Sequence, residues 1–123
     1  MAARKPRLGT MRGYPDGAWQ GGYAVLWREP GGVVCSGELE LRPEALVLAG
    51  RCRDGRACEH EIAYRDVSST RIGRAARERI DGRSTLILEA LGLTLHITSP
   101  VGLGMIHEMA ERLDARMARS APV

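Results

Sequence analysis

Five arginines crowd into residues 71–83, and guanidinium groups are well suited to bind carboxylates and phosphates. The five candidate partner- or phosphate-binding residues are Arg71, Arg74, Arg77, Arg79 and Arg83. Glu78 and Asp81 interrupt the run, and no aromatic residue lies between the arginines, which argues against single-stranded nucleic-acid binding. The simpler interpretation, which we favour, is a solvated hairpin whose charges protect a sheet edge from aggregation.

The three cysteines form a second group with possible chemistry. Cys52, Cys58 and His60 can supply three metal ligands, with Cys35 as a fourth. Structural zinc sites usually use cysteine pairs two to four residues apart, however, and the Cys52–Cys58 spacing is wider. An odd number of cysteines also does not suit a disulfide framework. We therefore predict buried or unreactive thiols, with no metal and no other cofactor.

The histidines do not form a catalytic pattern. His96 falls on the outward face of a predicted strand, and His107 lies on the polar side of a predicted helix. No serine or cysteine nucleophile sits in an elbow motif. The run Gly102-Leu103-Gly104 lacks the third glycine of a dinucleotide-binding fingerprint. The sequence therefore predicts that this protein is not an enzyme.

Composition places the chain among ordinary globular domains. It has 123 residues, of which 44% are hydrophobic and 27% charged, with a formal net charge of +3. No apolar run is long enough to span a membrane. The basic residues near the N-terminus are not followed by the apolar stretch of a secretory signal. These features predict a cytoplasmic protein and leave its oligomeric state open.

Alternating polar and apolar residues predict seven short strands. They cover residues 23–27, 33–41, 45–50, 59–64, 67–74, 85–90 and 93–98. Turns are expected at residues 42–44, 54–55 and 91–92. Between Arg74 and Thr85 the pattern allows either a strand that continues to an Asp81-Gly82 hairpin turn or a helical turn at residues 75–78. In the last strand Leu93, Leu95 and Ile97 should face inward, and Thr94, His96 and Thr98 outward.

The period then changes to that of a helix. Ser99 is the expected N-cap and Pro100 the expected first helical residue. The apolar stripe is formed by Ile106, Met109, Ala110, Leu113 and Met117. The predicted organisation is a flexible N-terminal arm (residues 1–22), one domain (residues 23–119) and a disordered tail (residues 120–123).

Seven strands followed by one amphipathic helix resemble the element order of the pleckstrin-homology (PH)-like domain. The run Gly37-Glu38-Leu39-Glu40-Leu41, the turn after it and Leu46-Val47-Leu48 are similar to the second and third strands of bacterial PH-like and GRAM-like domains. The run Glu61-Ile62-Ala63-Tyr64-Arg65-Asp66-Val67 is similar to the I-x-Y-x-D-I segment of those domains. The resemblance implies a curled antiparallel barrel closed by the C-terminal helix.

The same resemblance implies a scaffold without catalytic residues that binds lipid head groups, peptides or proteins. Phosphoinositide-binding members carry a basic cluster in the first hairpin loop, whereas this chain has Glu29-Pro30-Gly31-Gly32 there, with Arg28 at the edge. We therefore expect a non-catalytic module that recruits a protein partner by a strand edge or by the groove beside the helix. The alternative is a phosphate-seeking module that binds anionic lipid or nucleic acid through residues 71–83.

Overall fold

The computed structural model describes residues 22–120, which form seven β-strands and one α-helix. The predicted mainly β class with a C-terminal helix is confirmed. The elements are β1 (Gly22–Arg28), β2 (Val34–Leu41), β3 (Ala45–Cys52), β4 (Ala57–Ala63), β5 (Val67–Gly73), β6 (Thr85–Ala90), β7 (Leu93–Thr98) and α1 (Leu103–Ser120). Single turns of 3₁₀ helix, Tyr64–Asp66 and Ala76–Glu78, precede and follow β5.

All strand pairs are antiparallel and belong to one sheet with the order β4-β3-β2-β1-β7-β6-β5. Strands that are neighbours in the sheet are also neighbours in the sequence, except at the junction of β1 with β7. That junction joins only Leu26, Trp27 and Arg28 to Thr98, Ile97 and His96. Strands β4 and β5 form the two edges, so the sheet is not closed and the term barrel applies only loosely.

One face of the sheet is covered by α1. Ile106, Met109 and Leu113 of the predicted stripe are buried, and Ala110 and Met117 pack against the same core. The sheet contributes Trp27, whose side chain is fully buried, together with the inward-facing leucines of β2, β3, β6 and β7. Removing this apolar surface from water is the main force that holds the helix on the sheet.

Strands β2 and β3 approach each other unusually closely at one point. Gly37 and Gly50 are directly opposite in the register. A Cβ atom on Gly37 would overlap the backbone of Ala49, and one on Gly50 would overlap the backbone of Ser36. Only residues without a side chain allow this approach.

The helix begins later than the sequence predicted. Ser99 is fully buried, and its hydroxyl accepts the Val101 N–H at 3.0 Å, which forms a turn rather than a helix N-cap. Gly102 has a φ of 142°, a value that L-residues with side chains rarely adopt. The chain therefore turns between β7 and α1, and the predicted roles of Ser99 and Pro100 in the helix are wrong.

Strands β6 and β7 are more completely buried than the strands of a sheet that has one solvent-exposed face. Ile87 alternates with Leu86 and Leu88, yet all three are buried. Thr98, predicted to face outward, is also fully buried, and its hydroxyl donates to the carbonyl of Ser84 at 2.8 Å. Residues 74–84, the connection between β5 and β6, provide the additional cover.

The predicted arm falls almost wholly outside the described residues, as does the tail beyond Ser120. Gly22 is already part of β1, and Ser120 is the last residue of α1. Within residues 22–120, no helix combines the length and apolar character needed to cross a bilayer.

Candidate functional site

The β5–β6 connection, residues 74–84, carries four of the five arginines proposed from the sequence. It contains a helical turn and a tight turn at Asp81-Gly82, but β5 ends at Gly73, so the predicted continuation of that strand is wrong. The 3₁₀ turn Ala76–Glu78 comes first, and a tight turn follows at Asp81 and Gly82, with φ values of 51° and 78°. Ile80 and Arg83 pair across that turn through two backbone hydrogen bonds.

Three anchors fix the backbone of this connection. The side chain of Ile80 is buried, although it lies outside the main core cluster. The guanidinium of Arg28 in β1 donates to the carbonyls of Arg77 (3.3 Å) and Arg79 (2.7 Å). The Thr85 hydroxyl donates to the carbonyl of Glu78 at 2.8 Å. The arginines therefore project from a fixed backbone rather than from a loose hairpin.

Two of the five arginines are engaged within the protein. Arg71 forms an ion pair with Glu78 at 2.8 Å, which raises the pKa of Arg71 and lowers that of Glu78. The Arg79 guanidinium donates to the carbonyl of Arg74 at 2.9 Å. Asp81 is paired with Arg53 from the β3–β4 turn at 3.2 Å. Both acidic residues in the connection are thus already neutralised by arginines.

The remaining three arginines are exposed and form what we call the arginine surface: Arg74, Arg77 and Arg83. No ion pair among residues 22–120 involves any of them. Their guanidinium groups are therefore available to an external anion. Residues 22–120 contain as many arginines as acidic residues, so this surface is a local concentration of positive charge on a neutral domain.

A cleft of about 230 Å³ lies beside Arg83, between the start of β6 and the start of α1. Ser84 and Ser99 line it together with Leu103 and Ile106. Leu103 is 47% exposed and the neighbouring Val101 is 71% exposed, so apolar surface adjoins the positive charge. This volume can accept one apolar side chain.

The aromatic residues of residues 22–120 take no part in this surface. Tyr23, Trp27 and Tyr64 are all buried in the core. The aromatic platform on which nucleic-acid bases stack is therefore missing from the described part of the chain.

The three histidines are dispersed. His96 in β7 lies opposite both Arg28 and Ile87, and burial, followed by the Arg28 charge, lowers its pKa below the usual value. His107 is exposed on α1. The His60 ring Nε2 lies 2.7 Å from Glu29 Oε2, and the Trp27 indole donates to the same carboxylate oxygen.

The three cysteine sulfurs converge, which the spacing in the sequence did not predict. Cys35, Cys52 and Cys58 come from the neighbouring strands β2, β3 and β4, and their Sγ atoms lie within 4.8 Å of one another. A disulfide bond joins Cys35 to Cys52, and the Sγ of Cys58 lies against the Sγ of Cys52. His60, considered as a ligand beside them, is not part of the cluster. Cys35 and Cys52 are buried as expected, but they form a disulfide, so the prediction of unpaired thiols is wrong for these two residues. The strand register brings them directly opposite each other, which an odd cysteine count does not reveal.

Sequence reasoning identified the arginine run but missed the residues that organise it. Arg28 approaches from β1 and Arg53 from the β3–β4 turn, and no local pattern reveals such contacts. The one signal in the sequence was the apolar Ile80 within a charged stretch, which indicates that part of the connection is buried. For Cys35, the sign was its register opposite Cys52, which requires the strand pairing to be known.

The chain matches no protein-family model, no curated protein and no solved structure.

Proposed function

We propose that this protein is a non-catalytic interaction module with a PH-like scaffold that recruits an acidic segment of a protein partner. The observation that carries the proposal is the arginine surface: three exposed guanidinium groups, without acidic partners in residues 22–120, on an anchored backbone. Arginine forks bind carboxylates in pairs of parallel hydrogen bonds. A fixed backbone reduces the entropy lost when such a partner binds.

The strand order supports the scaffold part of the proposal. A four-stranded and a three-stranded antiparallel array meet at the β1–β7 junction, and the C-terminal helix packs against their shared core. Seven antiparallel strands followed by one helix agree with the element order on which the resemblance to PH-like domains rests.

The cleft beside Arg83 favours a peptide over a bare phosphate. Arg83 provides the charge, while Leu103 and Ile106 provide an apolar wall next to it. A segment that places a leucine-sized side chain near its carboxylates can contact both the charge of Arg83 and this apolar wall. Nucleic acid is less favoured because its bases find no exposed aromatic residue within residues 22–120.

Fluorescence anisotropy with defined probes tests this function. The probes are a labelled peptide rich in glutamate with one leucine, vesicles containing phosphatidylserine, and a single-stranded oligonucleotide. We expect the peptide to bind with an affinity that falls as salt rises. The triple variant Arg74→Glu, Arg77→Glu and Arg83→Glu should weaken binding at least about tenfold, since each rim charge contributes modestly.

The matched control reverses the same number of charges elsewhere. Arg42, Arg65 and Arg119 are exposed and lie outside the β5–β6 connection. The triple variant with glutamate at these positions should retain peptide binding within about twofold, because long-range charge effects are screened by salt. Binding of vesicles or oligonucleotide without peptide binding would favour the phosphate-seeking alternative and overturn the protein-partner proposal. Equal loss in both triple variants would mean that only net charge matters.

A further inference from the structure

The cleft beside Arg83 is bounded on one side by the start of α1. Gly102 and Leu103 line it there, and the first turn of α1 contains no acidic residue. Within residues 22–120, the backbone N–H groups of Leu103 and Gly104 have no acceptor. The first N–H groups of a helix need partners from outside the helix, and they attract negative charge. An anion in the cleft would provide such a partner.

A buried serine indicates the same kind of ligand. Ser99 lines the cleft, although the residue is fully buried. Its oxygen accepts the Val101 N–H, but its hydroxyl proton has no acceptor among the residues that the structure describes. A buried donor without an acceptor is costly, and buried polar groups in native proteins are almost always hydrogen-bonded. An oxygen atom of a ligand in the cleft would satisfy this donor.

The cleft also combines a positive charge with an apolar wall. Arg83 is exposed at its edge, and none of the described residues that line the cleft is acidic. Leu103 and Ile106 form the wall, and the volume of about 230 Å³ has room for one side chain. The ligand that fits is therefore a carboxylate directly beside an apolar group.

We propose that the cleft binds the C-terminal residue of the partner, with its free carboxylate on Arg83, Ser99 and the start of α1. Its side chain, apolar and about the size of leucine, packs against Leu103 and Ile106. The inference rests on the proposed function, since it specifies which part of an acidic segment enters the cleft. In a C-terminal residue the carboxylate and the side chain share one Cα atom, so both reach the same small cleft.

The test compares labelled peptides that share one glutamate-rich sequence and differ only in the last residue. The first ends in leucine with a free carboxylate, the second in leucine amide, and the third in serine with a free carboxylate. Fluorescence anisotropy measures their binding to the full chain. We expect the first to bind at least about tenfold more tightly than the others, because the amide loses charge-assisted hydrogen bonds and the serine loses apolar contact.

N-acetyl-leucine offers the same carboxylate and side chain without the acidic segment. It should bind at least about tenfold more weakly than the first peptide, because it makes no contact with the other arginines of the arginine surface. Equal affinity would assign the cleft to a small apolar carboxylic acid and overturn the assignment to a peptide C-terminus.

Two matched variants separate the cleft from the rest of the arginine surface. Arg83→Gln should reduce the preference for the free carboxylate over the amide to about threefold or less. Arg77→Gln changes an exposed arginine of the same connection that does not line the cleft. It should weaken both leucine peptides by the same factor and keep the preference. Leu103→Ser should remove the preference for leucine over serine.

Nuclear magnetic resonance of the unaltered chain provides a measurement that depends on no variant. The backbone amide signals of Leu103 and Gly104 should shift with the free-acid leucine peptide and stay in place with its amide. Circular dichroism checks that each variant is folded.

The possible failures of the two proposals are distinguishable. Equal binding of the leucine acid and leucine amide peptides would overturn the C-terminal assignment and leave the proposed function intact. Loss of the preference in Arg77→Gln as well as in Arg83→Gln would also overturn it. Failure of every peptide to bind would overturn the proposed function itself.

Discussion

The phenol of Tyr23, at the start of the sheet, donates a hydrogen bond of 3.1 Å to the carboxylate of Glu108 in the C-terminal helix. The two residues lie 85 positions apart in the sequence. Burial of the phenol, with the nearby carboxylate, raises the pKa of Tyr23 to about 12. The opposing charge of Arg112, which lies 3.6 Å from the same carboxylate, only partly counteracts this rise. The first strand and the last helix are thus linked by polar as well as apolar contacts.

Tyr23→Phe should destabilise the protein by about 1 kcal/mol, the typical net contribution of one hydrogen bond. The aromatic packing remains, so the loss reports the hydroxyl alone. Urea unfolding measures the change, and Glu111→Ala, an exposed position on the same helix, serves as the control. Unchanged stability in Tyr23→Phe would show that the hydrogen bond has no net effect. Ultraviolet titration should find a tyrosine that ionises near pH 12 in the unaltered chain and is absent from the variant.

Leu113→Ala should cost about 2–5 kcal/mol, because it removes a fully covered side chain and leaves a cavity. Leu113 is 1% exposed beneath the helix. Thermal and urea unfolding measure the loss. Glu111→Ala removes a side chain from the opposite, exposed face and should stay within about 0.5 kcal/mol. Similar effects of the two substitutions would contradict the packing of α1 on the sheet.

Gly37→Ala and Gly50→Ala should each destabilise the sheet by more than about 1 kcal/mol, because the new methyl group meets the opposite backbone and something must shift. Gly104→Ala is the matched control. It makes the same chemical change in the first turn of α1, where a Cβ meets nothing within 4 Å. Since alanine favours helices, this variant should gain a few tenths to about 1 kcal/mol. Chemical denaturation should therefore show a lower free energy of unfolding for the two strand variants and a higher one for Gly104→Ala.

Stability should fall as the pH drops below about 6.5, because the folded protein holds His96 in its neutral form. The pKa of this residue is lower in the folded than in the unfolded chain, so the unfolded state binds the proton first. The contribution is complete above the ordinary histidine pKa and is lost as the pH falls towards the folded value. Urea unfolding at about pH 5.5 and pH 7.5 measures the slope.

His96→Gln should reduce that slope, whereas His107→Gln, at an exposed helical position, should leave it unchanged. An identical pH dependence in His96→Gln and the unaltered chain would show that burial of this imidazole does not affect stability.

The strands and the helical stripe were predictable because each follows a local period. Leu39 and Leu41, or Met109 and Leu113, show on their own which face is buried. The start of α1 was not predictable in the same way, since Ser99 has the residue type of an N-cap but uses its hydroxyl in a turn that precedes the helix, which begins at Leu103. Gly102, directly before the helix, has a φ of 142°, which residues with a side chain rarely adopt.

The arrangement of the site residues depends still more on contacts between residues that are distant in the sequence. The run of arginines can be read from the sequence, but its anchoring by Arg28 requires β1 to lie beside β7. Convergence of the cysteines likewise requires the registers of two strand pairs at once. Spacing along the chain alone therefore did not reveal that Cys35, Cys52 and Cys58 lie together.

The narrow β1–β7 junction has a consequence for the way in which the chain acquires its fold. Strands β1 to β4, and β5 to β7, are two meanders built from pairings between neighbours, which form rapidly. Their union requires residues 26–28 to find residues 96–98, so the slowest loop closure comes last. A nascent polypeptide that has emerged only as far as β6 cannot make this pairing. The domain therefore completes its folding only after nearly all of it has left the ribosome.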